Sequence, residues 1–186
     1  METELCKLAR KYHSDKCPAI YHGYTPFYDE LLRKRNIKRV LEIGIGYVNG
    51  VGNPDGSAYI PGASLFMWEE YFPEAEIYGL DIDPRVLING GRIKSFVCDQ
   101  GNSGSLIDAA TNISGEFDLI VDDGSHIPEH QRLTAGMFLP RLSATGIYIV
   151  EDATDTSFIA TLPFRCEIKE FEHLPTNDNR LIVIQH

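Results

Sequence analysis

The chain has 186 residues, of which 43% are hydrophobic and 24% are charged, and its formal net charge is −10. This length suits one globular domain with a sizeable core, and the hydrophobic content excludes intrinsic disorder. The acidic balance disfavours nucleic acid and anionic membranes as partners, because both require a basic surface.

No run of about 18 apolar residues and no charged-then-apolar segment at the start is present, so we expect a cytoplasmic protein with no membrane partner. Its four cysteines, Cys6, Cys17, Cys98 and Cys166, stand singly, without the CxxC spacing of a metal or redox motif. We interpret them as reduced thiols rather than as a disulfide framework or a zinc site.

Two helices are predicted in the first 36 residues. Apolar residues at helical spacing indicate a helix over residues 3–12, with Thr3 as its cap. Thr25-Pro26 then suits a second helix start, with proline at the first helical position. The intervening segment, residues 12–24, is dense in polar and aromatic groups and is either a surface connector or a lid or wall over a ligand.

From residue 37 onward, predicted strands alternate with predicted helices, which indicates an α/β fold with a parallel sheet and helices on both faces. The helices begin near residue 62, at Ser105 (in a capping-box pattern with Asp108) and near Pro128. The strands and the residues at their ends are 38–46 (Glu42, Gly44, Gly46), 76–83 (Asp81, Asp83), 93–100 (Asp99, Gln100), 117–126 (Asp122, Asp123, His126) and 146–152 (Glu151, Asp152). Residues 47–61 form a loop, and strands 164–171 and 180–185 form a closing hairpin with its turn at 176–179.

Polar residues therefore follow all five strands, at the edge where open α/β sheets bind ligands. Carboxylates such as Asp123, Glu151 and Asp152 suit Mg²⁺ or Mn²⁺ better than zinc. Histidine is a common general base near neutral pH, so His126 could take that role. The alternative is that the aspartates cap helices and that His126 is a solvated loop residue. Both interpretations remain open on spacing alone.

Three segments carry a resemblance to a known family: Val40-Leu-Glu42-Ile-Gly44-Ile-Gly46, Gly79-Leu-Asp81-Ile-Asp83 and Asp122-Asp123-Gly-Ser-His126. The chain resembles class I S-adenosylmethionine-dependent methyltransferases, and more narrowly the metal-dependent sugar O-methyltransferases of the macrocin and mycinamicin type. The resemblance implies a Rossmann-like fold with a mostly parallel seven-stranded sheet and a C-terminal β-hairpin. It also implies an N-terminal helical lead or lid (1–36) joined to an S-adenosylmethionine-binding region (37–186) in a single domain.

The resemblance further assigns roles to residues. In S-adenosylmethionine, the methionine part would contact Glu42, Gly44 and Gly46, the ribose would contact Asp81, and the adenine would contact Asp99 and Gln100. Asp122 would contact this cofactor or orient the metal ligands. Mg²⁺ or Mn²⁺ would be bound by Asp123, Glu151 and Asp152, with His126 as the base.

The expected function is methylation of a hydroxyl on a sugar or glycosylated small molecule, by a protein that forms at least a homodimer. Two alternatives remain. An NAD-dependent oxidoreductase is disfavoured because the third glycine of the dinucleotide fingerprint is missing. A non-catalytic partner protein that binds S-adenosylmethionine is the other.

Overall fold

The computed structural model describes residues 2–48, 53, 56–171 and 179–186. Its strands are β1 (Arg39–Ile43), β2 (Glu76–Asp81), β3 (Ile93–Val97), β4 (Phe117–Asp122), β5 (Leu142–Val150), β6 (Arg165–Glu170) and β7 (Arg180–Gln185). They form one seven-stranded sheet in the order β3-β2-β1-β4-β5-β7-β6. Strands β1 to β5 pair in parallel, and β7 pairs antiparallel with both β5 and β6. The predicted sheet and its C-terminal hairpin are confirmed.

Helices cover both faces of this sheet. They are α1 (Glu4–Tyr12), α2 (Tyr24–Leu32), α3 (Ala63–Tyr71), α4 (Ser103–Asn112) and α5 (Pro128–Phe138). Alternate strand residues point to opposite faces: Val40 of β1 packs with the apolar residues of α1, α2 and α3, whereas Leu41 packs with those of α4 and α5. Trp68 of α3 is fully buried in the first of these two cores.

Local hydrogen bonds explain where the helices begin. The Thr3 hydroxyl accepts a hydrogen bond from the Cys6 amide and caps α1, as predicted. The prediction for α4 was wrong, because Asn102 is its cap and accepts from the Ser105 amide. The Ser105 hydroxyl instead accepts a hydrogen bond from the amide of Asp99, at 2.9 Å. Asp83 caps the short 3₁₀ helix Pro84–Val86, the alternative to a ligand role that its sequence context suggested.

Two predicted loops fall partly outside the described residues. The residues outside the described part of the chain are 49–52 and 54–55 in the 47–61 loop and 176–178 in the hairpin turn. The described residues of the 47–61 loop contain no helix or strand.

All four cysteines are free thiols, as predicted. No helix among the described residues is long and apolar enough to span a membrane.

The strand register brings the predicted site residues to one edge of the sheet. Ile43 of β1 pairs with Leu80 of β2 and with Asp122 of β4, and Asp122 pairs in turn with Val150 of β5. Because the strands are parallel, the residues that follow these partners emerge together at the carboxyl edge.

Candidate functional site

A cavity of about 640 Å³ opens at this carboxyl edge, within the size range of small-molecule sites. Most of the predicted site residues line it: Gly44, Gly46, Asp81, Asp99, Gln100, Asp123, His126 and Asp152. Three others, Glu42, Asp122 and Glu151, are at most 1% exposed and lie behind the cavity wall. The fold thus divides the predicted residues into a lining group and a supporting group, a distinction that strand patterns alone do not make.

The glycine turn after β1 has a tight fit to the turn after β4. Gly44 has φ of +79°, and a Cβ atom at this position would lie 2.1 Å from the carbonyl oxygen of Asp123. The Asp81 carboxylate fixes this turn, because its Oδ2 accepts a hydrogen bond from the Ile45 amide and its Oδ1 accepts one from the Asp83 amide, both at 2.9 Å. Glycine at 44 is therefore required by close backbone packing between two strand ends.

Asp122 acts on the cavity through Gln100. The buried Asp122 carboxylate accepts a hydrogen bond from Gln100 Nε2 at 2.6 Å and another from the Tyr148 hydroxyl at 3.2 Å. Burial raises the pKa of Asp122 to about 7, against these two hydrogen bonds, which act to lower it. Gln100 also accepts a hydrogen bond from the Ser125 amide at 2.9 Å, so its side-chain amide is held at both ends.

Asp123, His126 and Asp152 form the cluster best suited to a metal ion. One ligand atom from each lies within 4.8 Å of the others. His126 and Asp152 both have positive φ, 56° and 51°, although neither is glycine. His126 Nδ1 is buried and has no hydrogen-bond partner among the described residues. Two carboxylates and an imidazole with an unpaired nitrogen fit a hard divalent cation and a proton acceptor.

Lys16 connects the N-terminal segment to the acidic strand ends. Its ammonium lies 2.5 Å from Asp123 Oδ2, 2.8 Å from Glu151 Oε2 and 3.5 Å from Glu42 Oε1, and its side chain is 1% exposed. Burial acts to lower the pKa of Lys16, but Asp123, Glu151 and Glu42 outweigh it and hold that pKa well above its usual range. Lys16 is therefore a buried cation in the wall of the cavity.

Both Glu151 oxygens are engaged in this structure. Oε1 accepts a hydrogen bond from the Tyr28 hydroxyl at 2.7 Å, and Oε2 accepts one from Lys16. Burial, together with the charge of Asp123, raises the pKa of Glu151 well above its usual range, although Lys16 opposes the rise. The metal-ligand role predicted for Glu151 stays a prediction, and the side chain would have to share its oxygens with Lys16 or Tyr28 to fill it.

Asp152 receives two further partners from the N-terminal segment. The Tyr24 hydroxyl donates to Asp152 Oδ1, and His22 Nε2 lies 3.8 Å from Asp152 Oδ2. The His22 ring stacks on Tyr24 at a centroid distance of 4.7 Å, and its Nδ1 lies 3.4 Å from Asn179 Oδ1. These aromatic groups hold the Asp152 carboxylate in place.

Sequence reasoning assigned no individual site role to Lys16, His22, Tyr24 or Tyr28. The available signal was the density of polar and aromatic residues in the 12–24 segment. Five residues of that segment line the cavity: His13, Ser14, Asp15, Lys16 and His22. The segment is thus part of the cavity wall, and its action as a lid stays a prediction.

No protein-family model matches the chain. The chain is 37% identical to mycinamicin VI 2''-O-methyltransferase of Micromonospora griseorubida over 151 residues, which cover 80% of this chain and 36% of that protein. It is 39% identical to demethylmacrocin O-methyltransferase of Streptomyces fradiae over 151 residues, with the same two coverages. The matched region thus spans little more than a third of the length of these curated relatives.

The fold is also similar to a solved structure, the MycE methyltransferase of the mycinamycin biosynthetic pathway in complex with Mg and SAH. The TM-score is 0.75 at 25% identity, and the match covers all of this chain and 55% of that one.

Proposed function

We propose that this chain transfers a methyl group from S-adenosylmethionine to a hydroxyl of a sugar or glycosylated small molecule. The chain has the class I methyltransferase fold and resembles the sugar O-methyltransferases of macrolide and tetracenomycin pathways. The observation that carries the proposal is the convergence of Asp123, His126 and Asp152 beside the glycine turn. Both curated relatives named above are O-methyltransferases, and the solved structure contains Mg and SAH.

The cofactor would lie along the tips of β1, β2 and β3. Gly44 and Gly46 would border the methionine part. Asp81 would accept hydrogen bonds from the ribose hydroxyls. Each of its oxygens already accepts one backbone hydrogen bond and has a second lone pair available. Asp99 and Gln100 would border the adenine, with Asp122 holding Gln100 in place. Glu42 is buried and contacts Lys16 and Trp68.

Mg²⁺ or Mn²⁺ fits the carboxylate cluster. Asp123 and Asp152 would be ligands, and Glu151 would join them if it shares an oxygen with its present partners. When bound, such an ion supplies Lewis-acid stabilisation of the oxygen anion that develops on the acceptor. The surrounding residues keep the ligands in place: Lys16 holds Asp123, and Tyr24 holds Asp152.

His126 would be the general base. Its imidazole accepts the proton of the acceptor hydroxyl while that oxygen forms a bond to the methyl carbon of the sulfonium. The carbon–sulfur bond breaks at the same time, and its electron pair returns to sulfur, so the products are the methyl ether, S-adenosylhomocysteine and a protonated His126. The unpaired nitrogen of this side chain supports the assignment. Holding acceptor and cofactor in line supplies much of the rate.

Titration calorimetry tests the cofactor assignment, with S-adenosylhomocysteine and NAD⁺ as the two ligands. We expect binding of S-adenosylhomocysteine only, whereas binding of NAD⁺ alone would favour an oxidoreductase.

Methyl transfer from radiolabelled S-adenosylmethionine to the sugar-bearing compounds of a cell extract tests the activity. Tight cofactor binding with no labelled product in any extract would favour the non-catalytic alternative. Activity that survives exhaustive EDTA treatment would overturn the metal role.

Assembly into at least a dimer and a cytoplasmic location stay predictions. Because the chain spans only part of the length of its relatives, its acceptor and its assembly are separate proposals from its fold.

A further inference from the structure

Lys16 lies in the middle of the acidic strand ends, although it belongs to the segment between α1 and α2. The three carboxylates that it contacts belong to three different strands of the sheet: Glu42 lies within β1, Asp123 directly follows β4, and Glu151 directly follows β5. Lys16 is also the only lysine or arginine among the described residues that line the cavity.

Asp123 depends on Lys16 more than the other two carboxylates do. Glu151 also accepts a hydrogen bond from Tyr28, and Glu42 also accepts one from Trp68 at 2.9 Å. Within the described part of the chain, the Asp123 carboxylate receives its hydrogen bond from Lys16 alone. Its side chain is 24% exposed, against 1% or less for the two glutamates. Without the ammonium, the Asp123 side chain would be free to rotate away from the cluster.

We propose that Lys16 is a positioning residue for the metal site, a role that rests on the proposed function: its ammonium holds the Asp123 carboxylate within reach of Asp152 and His126. Hydrogen-bond partners of metal-binding carboxylates typically change metal affinity by about 10- to 100-fold when removed. The ammonium also repels a divalent cation, and this repulsion acts in the opposite direction. The sign of the change in metal affinity therefore tells positioning from repulsion.

The test compares Lys16→Met with wild type, using Mn²⁺ affinity measured by electron paramagnetic resonance and S-adenosylhomocysteine affinity measured by calorimetry without metal. We expect the variant to bind Mn²⁺ at least about 10-fold more weakly and to bind S-adenosylhomocysteine as wild type does. Lys11→Met is the matched control, because Lys11 is exposed and pairs with Glu70 at the surface. It should leave both affinities unchanged.

A second variant guards against misfolding, since loss of Lys16 leaves buried carboxylates unpaired. Lys16→Met/Glu42→Gln removes one of these charges and keeps an acceptor for Trp68. We expect it to show the same loss of Mn²⁺ affinity. Mn²⁺ affinity that is unchanged or increased in either folded variant would overturn the positioning role and leave the proposed function in place. A wild-type protein that binds no Mn²⁺ would overturn the metal site itself, and with it this inference.

Discussion

His126 and Asp152 follow neighbouring parallel strands, and both have a left-handed main chain, with φ of 56° and 51°. Side-chain ligand atoms of the two residues lie within 4.8 Å of each other and of Asp123. A left-handed conformation costs an L-residue roughly 1–2 kcal/mol, and such strain concentrates at functional sites. Of the three described non-glycine residues with positive φ, these two are the ones to which the proposed chemistry assigns a proton and a metal ion, and the third, His13, ends α1.

Replacing His126 with alanine should remove the general base. We expect turnover to fall by roughly 10²- to 10⁴-fold, the usual contribution of a positioned base, while affinity for S-adenosylhomocysteine stays at the wild-type level. Single-turnover kinetics and calorimetry measure the two quantities. An equal loss of cofactor affinity and turnover would contradict the base assignment, because it would indicate a general disturbance of the cavity.

Because the main chain at His126 is left-handed, we expect the protein to be more stable with glycine than with alanine at this position. His126→Gly relieves the left-handed conformation, whereas His126→Ala keeps it. After the larger entropy loss of glycine is deducted, we expect the free energy of unfolding of the glycine variant to exceed that of the alanine variant by about 1 kcal/mol. Urea denaturation of both proteins measures this difference. Alanine as the more stable variant would mean that position 126 carries no strain.

Asp152→Asn should weaken Mg²⁺ binding. The amide keeps an oxygen that accepts the Tyr24 hydrogen bond, but it loses the charge that attracts the cation. We expect Mg²⁺ affinity to fall by at least about 10-fold, with cofactor affinity unchanged, as measured by calorimetry. Asp155→Asn is the control, because Asp155 bonds to Ser157 outside the cluster. Equal Mg²⁺ affinities of the two variants would argue against Asp152 as a ligand.

Two glycines with similar φ separate close packing from backbone conformation. Gly44 and Gly56 have φ of +79° and +83°. Of these two, only a Cβ at Gly44 meets another atom of the described residues, the Asp123 carbonyl oxygen at 2.1 Å. Both alanine variants carry the conformational cost, so the difference between them reports the clash. We expect Gly44→Ala to be less stable than Gly56→Ala by about 1–3 kcal/mol in thermal or urea unfolding. Equal destabilisation would contradict the tight fit between the two turns.

The buried Glu42 predicts a pH dependence of stability. Burial raises its pKa from an ordinary 4.5 to about 7, although Lys16 opposes this rise. The folded protein thus holds this proton more tightly than the unfolded chain does. The resulting stabilisation is complete below about pH 4.5 and is lost as the pH rises through about 7.

The measurement is the free energy of unfolding at pH 5 and pH 8 for wild type and Glu42→Gln. At about 1.4 kcal/mol per pKa unit, we expect wild type to lose roughly 2–3 kcal/mol more than the variant between these two pH values. Glu116→Gln, at an exposed position, should follow wild type. Parallel pH profiles of wild type and Glu42→Gln would show that Glu42 does not titrate differently on folding.

Much of the architecture follows from local sequence patterns. Apolar runs that stop at Gly44, Asp81, Asp99, Asp123 and Glu151 locate the five parallel strands, and their alternation with helices puts these stops at one edge. Such patterns are readable because strand and helix periodicities are set by a few neighbouring residues. Eight of the residues predicted at these strand ends line the cavity, whereas the lining residues of the N-terminal segment were not assigned a role. The same reasoning misplaced the start of α4, because a serine hydroxyl can bond to a nearby main chain in more than one way.

Which strand-end residue faces the cavity was decided by the tertiary structure. Asp122 and Asp123 are adjacent in sequence, yet the first is buried against Tyr148 and the second lines the cavity beside Lys16. The contact between Lys16 and Asp123 joins residues 107 positions apart, and the contact with Glu151 joins residues 135 apart. Local propensity carries no information over such separations. The local sequence thus determined where the strands end. Packing of the N-terminal segment against the sheet determined that the Lys16 ammonium lies among those strand ends.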